Sequence, residues 1–142
     1  MGVMRLLAVC YTLLACTNFM LCDHNGSINL GKCGGNFEAE RGLLTSPSYP
    51  SNYQNNKDCV YTISQPNDTF IRITILKLDI FARSSAACYL DFLEIRDGSS
   101  SESPLMGELC GSGTPLPLKS TQNNVWIRYE NNSHTQFFIG TL

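Results

Sequence analysis

The sequence has few charged residues and no block of charge of either sign. Only 15% of its 142 residues are charged, and the formal net charge is -2. Proteins that bind nucleic acid depend on clustered lysine and arginine to attract the phosphate backbone. The charge content therefore argues against nucleic acid as a partner.

Histidines and metal-binding cysteine motifs are also scarce. The two histidines are His24, near the N-terminus, and His134, within a polar stretch. No pair of cysteine or histidine residues has the spacing of a zinc site. Neither histidine has the flanking groups of a general base, and no glycine-rich loop has the pattern that binds phosphate. The sequence predicts a protein that is not an enzyme and that has no cofactor.

Only one long hydrophobic run is present, and it lies at the N-terminus. Arg5 precedes the apolar residues 6–15, and small residues follow before Asp23, the first acidic residue. This is the layout of a secretory signal peptide. An uncleaved membrane anchor is the alternative, but a spanning helix needs about 20 consecutive apolar residues. The polar residues 17–18 interrupt the run too early, so the signal peptide is favoured.

We therefore predict a secreted, extracellular protein with three segments. Residues 1–22 form the signal peptide, which is cleaved between positions 16 and 22. Residues 23–32 form a polar, flexible N-terminal segment, and residues 33–142 form one folded domain. The mature chain has no further apolar run long enough to span a membrane.

The cysteines fit this compartment. Cys10 and Cys16 lie in the signal peptide, and Cys22 lies at its border, where a retained thiol could bridge two chains. The body of the chain holds four more, Cys33, Cys59, Cys88 and Cys110. In an oxidising environment these predict two disulfides, for which three pairings are possible.

Three N-glycosylation sequons point to the same compartment. They begin at Asn25, Asn67 and Asn131, and none has proline in its middle position. All three are predicted glycan acceptors. Asn67 is the best placed, because its neighbours Pro66 and Asp68 mark a turn.

Short apolar runs separated by glycine, proline, asparagine and serine predict strands. Apolar residues alternate with polar ones within 59–63, 71–75 and 125–129. The pattern predicts an all-β fold in which two sheets pack as a β-sandwich. The predicted core contains Val60 or Tyr61, Ile71, Ile73, Ile75, Phe92, Ile95, Ile127 and Phe137.

Several motifs, in order, resemble the CUB domain family from Cys33 to the C-terminus. They are CGG at 33–35, GLLTSPSYP at 42–50, CVYTI at 59–63, CYLDFLEIRDG at 88–98 and LMGELCG at 105–111. In the motif at 59–63 the family usually has tryptophan where Tyr61 stands. The resemblance implies a jellyroll-like sandwich with disulfides between Cys33 and Cys59 and between Cys88 and Cys110.

Many CUB domains hold a calcium ion at one end of the sandwich. The resemblance places its ligand positions at Phe81, Asp91 and Asn132, or at Asn131 if the register slips by one. Calcium prefers several oxygen ligands and more than one carboxylate. A phenyl ring, one carboxylate and one amide do not supply them. We therefore predict a degenerate site without calcium, in which Asp91 accepts local hydrogen bonds.

The resemblance implies an extracellular module whose end loops bind a protein or glycan ligand. It is most similar to the modules of multi-CUB endocytic receptors such as cubilin. The alternatives are a small secreted protein similar to the spermadhesins, and the non-catalytic arm of a secreted metalloprotease or serine protease. Tyrosine and tryptophan contribute strongly to interfaces, and the candidates for exposed binding residues are Tyr49, Tyr53, Tyr89 and Trp126.

Overall fold

The computed structural model describes residues 26–49, 55–82, 88–132 and 137–141. These residues form eleven strands and no helix, so none of them belongs to a helix able to cross a membrane. The strands are β1 (Gly26–Gly31), β2 (Gly35–Phe37), β3 (Arg41–Pro47), β4 (Lys57–Ser64), β5 (Arg72–Ile80), β6 (Phe92–Asp97), β7 (Leu105–Leu109), β8 (Gly111–Gly113), β9 (Leu118–Lys119), β10 (Asn124–Asn131) and β11 (Phe137–Thr141).

The strands form two sheets. The first has the order β1-β3-β11-β5-β8, with β9 also paired to β5, and the second has the order β2-β4-β10-β6-β7. β1 pairs in parallel with β3, and β2 pairs in parallel with β4. The other pairings among the described strands are antiparallel. The prediction of an all-β sandwich of two sheets is confirmed.

Alternation along the strands decides which side chains form the core. In the middle of the second sheet, Tyr61 lies opposite Ile127, and both are buried. The core also takes Leu44, Cys59, Ile63, Ile71, Ile73, Ile75, Leu78, Ile80, Leu93, Ile95, Val125 and Tyr129. Burial of each large apolar side chain contributes about 1.5–3 kcal/mol, so this cluster is the main source of stability.

β5 contains a β-bulge, after which the positions that face the core are shifted by one residue. Ile75 pairs with Gly140, whereas Lys77 pairs with Ile139, so Leu76 is the extra residue. Leu76 is 48% exposed, and the buried positions resume at Leu78. A bulge of this kind shifts the side chains that follow it by one position. The alternating run at 71–75 is therefore followed, after the bulge, by two more buried residues, Leu78 and Ile80.

Two disulfides join neighbouring parts of the sandwich. Cys33 is bonded to Cys59 in β4, and Cys88, before β6, is bonded to Cys110, after β7. The loops that they close span 26 and 22 residues in sequence. Loops of this length contribute about 3–4 kcal/mol each by restricting the unfolded chain.

The structure differs from the sequence analysis at the N-terminal segment. Residues 23–32 were expected to be flexible, yet β1 occupies 26–31 and pairs with the edge of β3. Pairing at a sheet edge uses only main-chain N–H and C=O groups. A polar sequence with a weak apolar pattern can therefore form this strand.

The structure decides between two predicted core residues, corrects a third and does not describe the side chain of a fourth. Val60 is 41% exposed, so Tyr61 is the core residue of that pair. Phe92 is only half-buried, because it lies on the outer face of the second sheet with the Arg128 guanidinium 5.7 Å from its ring centre. The side chain of Phe137 lies outside the described part of the structure.

Candidate binding site

The connections between strands gather at two ends of the sandwich. Glu130 pairs with both Asp58 and Phe92, so the starts of β4 and β6 meet the end of β10. We call this the Asp91 end. Asn124 pairs with Ser64, and Val125 pairs with Asp97, so the opposite connections meet at the other end. We call that the cleft end.

Asp91 is fully buried, and amide groups occupy both of its carboxylate oxygens. Oδ1 accepts a hydrogen bond from the backbone N–H of Asn132 at 2.8 Å, and Oδ2 accepts one from Asn131 Nδ2 at 3.0 Å. Asn132 Nδ2 also donates to the Leu90 carbonyl oxygen at 2.7 Å. These bonds attach the loop before β6 to the end of β10. We call the three side chains of Asp91, Asn131 and Asn132 the Asp91 cluster.

The residues at this end do not fit a calcium ion. Both oxygens of the Asp91 carboxylate already accept hydrogen bonds from N–H donors, which a cation could not replace as neighbours without breaking them. Phe81 offers no oxygen from its side chain. Among the described residues, no three histidine, cysteine, aspartate or glutamate side chains come together as a metal site.

Nearby carboxylates on the outer face of the second sheet are paired with arginine. Arg128 binds Asp58 through two hydrogen bonds of 2.8 and 2.9 Å, and it contacts Glu130 at 2.7 Å. Glu94 forms an ion pair with Arg96. The hydrogen bond from Arg128 lowers the pKa of the Asp58 carboxyl. These carboxylates are therefore already compensated within the sheet.

The three predicted glycan acceptors have different environments. Asn67 is exposed in a turn. Asn131 is 0% exposed, and its Nδ2, the atom that would carry a sugar, donates to Asp91. A glycan at Asn131 would have to displace this hydrogen bond, and its attachment there stays a prediction. Asn25 lies outside the described residues.

The predicted aromatic binding residues also differ in how far they are exposed. Tyr89 is 77% exposed, whereas Trp126 is only 9% exposed. Trp126 does face outward, but it lies on a central strand between Thr62 and Arg96, whose strands flank it on both sides. Tyr49 is half-buried. Tyr53 lies outside the described residues, as do Cys22 and both histidines.

A polar cleft that no motif of the sequence indicates lies at the cleft end. Residues 67–70 form one wall and residues 119–123 form the other, and the cleft between them is open to solvent with a volume of about 930 Å³. Phe70 is 51% exposed on one wall, and the ammonium group of Lys119 lies 3.9 Å from its ring centre. These two residues are far apart in sequence, so only the pairing of β9 with β5 reveals their contact.

Buried and partly buried hydrogen bonds hold the cleft walls in place. The Asp97 carboxylate accepts from the backbone N–H of Thr121 at 3.0 Å and from its hydroxyl at 2.7 Å. Ser120 Oγ accepts from the Ile71 N–H at 2.7 Å. Across the cleft, Asn123 Nδ2 donates to the Gln65 carbonyl at 2.7 Å. The walls are therefore preorganised.

Comparison with known proteins identifies one family. The family model described as CUB domain matches residues 33–137. The chain is 40% identical over 97 residues to bone morphogenetic protein 1 of Xenopus laevis and 38% identical over 106 residues to cubilin of Homo sapiens. The matches cover 68% and 75% of this chain, but only 13% and 3% of those relatives.

Solved structures show the same fold. The CUB1-EGF-CUB2 domain of human MASP-1/3 superposes with a TM-score of 0.69 and 23% identity, over 78% of this chain and 41% of that chain. The MASP-1 CUB2 domain bound to Ca2+ gives a TM-score of 0.67 and 24% identity, over 78% of this chain and 97% of that one.

Proposed function

The chain belongs to the CUB domain family, and we propose that it is a secreted, non-catalytic module that binds an extracellular protein through the Asp91 end. The observation that carries this proposal is the exposure of Tyr89 beside a rigid frame. Both curated relatives are many times longer than the stretch that they share with this chain. This supports a role as one module of a multidomain protein over a single-domain role.

Tyr89 is held between two fixed points. Cys88 precedes it and is bonded to Cys110, and Asp91 follows two residues later in its hydrogen-bonded cluster. Tyrosine offers a large amphipathic surface, and a side chain on a fixed backbone loses little entropy on binding. This arrangement suits an anchor residue at the centre of a protein interface.

The test is capture of extracellular proteins on the glycosylated, oxidised chain, once with calcium and once with a chelator. We expect a partner whose binding is independent of calcium. Tyr89→Ala should weaken its affinity by about 30-fold or more, the effect of removing an interface hot spot. Leu116→Ala is the matched control, because Leu116 is 86% exposed but lies in the connection between β8 and β9.

Two results would contradict the proposal. A partner that binds only in calcium would show that the Asp91 end holds the ion despite its donors. Equal affinities of the Tyr89→Ala variant and the unmodified chain would move the binding surface away from Tyr89.

A further inference from the structure

The turn at Asn67 has the geometry of an accessible glycan acceptor. Thr69 Oγ1 donates to the Pro66 carbonyl oxygen at 2.7 Å, and Asp68 between them has a φ of 64°. This turn holds the Asn67 side chain in solvent at the edge of the cleft. The sequon residues are therefore displayed together on a tight turn.

The amide of Asn67 can keep its contact with the opposite wall after a sugar is attached. Asn67 Oδ1 lies 3.5 Å from Asn123 Nδ2, at the limit of a hydrogen bond. N-glycosylation replaces one hydrogen of Nδ2 and leaves Oδ1 available as an acceptor. The first sugar would thus be attached to an asparagine whose side chain already approaches Asn123 on the opposite wall.

The cleft has both kinds of surface that a sugar ring needs. Residues 119–123 supply amide and hydroxyl groups that can donate to and accept from sugar hydroxyls. Phe70 supplies an aromatic ring; the Lys119 ammonium group lies over one of its faces, and the electron-rich face opposite can attract the C–H groups of a pyranose. The volume of about 930 Å³ lies within the range of about 300–1,000 Å³ that small-molecule sites occupy.

We propose that an N-linked glycan on Asn67 folds back into this cleft and packs its first sugar against Phe70. The inference rests on the proposed extracellular location, because only a secreted chain receives this glycan. It also gives the two ends different roles. The glycan covers the cleft end and leaves the Asp91 end free for a partner.

The test uses the full chain secreted from a eukaryotic host, with occupancy of Asn67 measured by peptide mass spectrometry. Thermal unfolding is then compared for the unmodified chain, Asn67→Gln, Phe70→Ala and the double variant. We expect Asn67→Gln to lower Tm by about 3–6 °C when Phe70 is present, and by less than about 1 °C when it is absent. A glycan trimmed enzymatically to one N-acetylglucosamine should retain most of the increase in Tm that the full glycan gives.

A matched control is Leu76→Ala, because Leu76 is similarly exposed at the β5 bulge. The Tm loss of the double variant Leu76→Ala with Asn67→Gln should equal the sum of the losses of the two single variants. Equal Tm losses from Asn67→Gln with and without Phe70 would overturn the inference. A secreted chain without sugar at Asn67 would overturn the inference about the glycan but not the proposed extracellular location. A chain retained in the cytosol would overturn both.

Discussion

Replacing Asp91 by asparagine should destabilise the fold through one specific atom. The two carboxylate oxygens accept hydrogen bonds from Asn132 N–H and Asn131 Nδ2, and both Asp91 and Asn131 are fully buried. Asparagine keeps one acceptor oxygen but turns the other position into an NH₂ group. A donor then faces a donor, and neither has access to water.

The expected loss follows from these contacts. A hydrogen bond to a charged group contributes about 1.5–3 kcal/mol, and a buried donor left without an acceptor costs about 1–3 kcal/mol. Because these terms overlap, we expect the free energy of unfolding to fall by about 2–4 kcal/mol. With a urea m-value of about 2 kcal/mol/M, in the middle of the range for small domains, the urea midpoint should fall by about 1–2 M.

The assay is urea unfolding of the oxidised chain in the presence of a chelator. Asp58→Asn is the matched control, since Asp58 also has two hydrogen bonds, from Arg128, but its side chain is 55% exposed. An exposed ion pair contributes about 1 kcal/mol or less, so this variant should change the midpoint little. Equal effects of the two substitutions, or stabilisation of the unmodified chain by calcium, would refute the reasoning.

Two further substitutions test the core and a turn. Burial raises the pKa of Tyr61 to about 12, although a hydrogen bond from the Gly34 backbone offsets part of the effect. The unfolded chain therefore ionises first above pH 10, and stability should fall between pH 10 and 12 by about 1.4 kcal/mol per pH unit. Tyr61→Phe should remove this loss in urea unfolding at pH 9–11, and parallel pH curves would contradict it. Gly98→Ala should cost about 1–3 kcal/mol, because its φ is +148° and a Cβ would lie 2.7 Å from Ser103 Cβ. Gly113→Ala has a φ of +146° without such a contact, so equal losses would assign the effect to backbone strain alone.

The parts of the fold that the sequence predicts are those with a local pattern. β4 alternates between buried and more exposed residues, and β10 alternates between buried and half-buried residues from Ile127 to Asn131, so the two-residue period identifies both strands directly. The same period also predicts the burial of Asn131. It follows Val125, Ile127 and Tyr129 at spacings of two, whereas the sequon by itself says nothing about orientation.

Features that depend on lateral neighbours could not be predicted in this way. Trp126 is covered because its strand is central in the sheet, and the order of strands is not a local property. The bulge at Leu76 arises from pairing with β11, which lies more than 60 positions later. The contact of Phe70 with Lys119 likewise requires β9 to pair with β5. Each of these contacts joins residues that are remote in sequence, so no local sequence pattern predicts it.

In the Asp91 cluster, protein hydrogen bonds join the loop before β6 to the end of β10. Stabilisation by a bound ion rises with the ratio of its concentration to Kd, so an end held by an ion loosens when the ion is removed. The N–H groups of Asn131 and Asn132 that bind Asp91 are present at every calcium concentration. The Cys88–Cys110 bond fixes the other side of Tyr89 covalently. The surface around Tyr89 should therefore keep its shape in the presence of a chelator, and it should lose that shape on reduction of the disulfide.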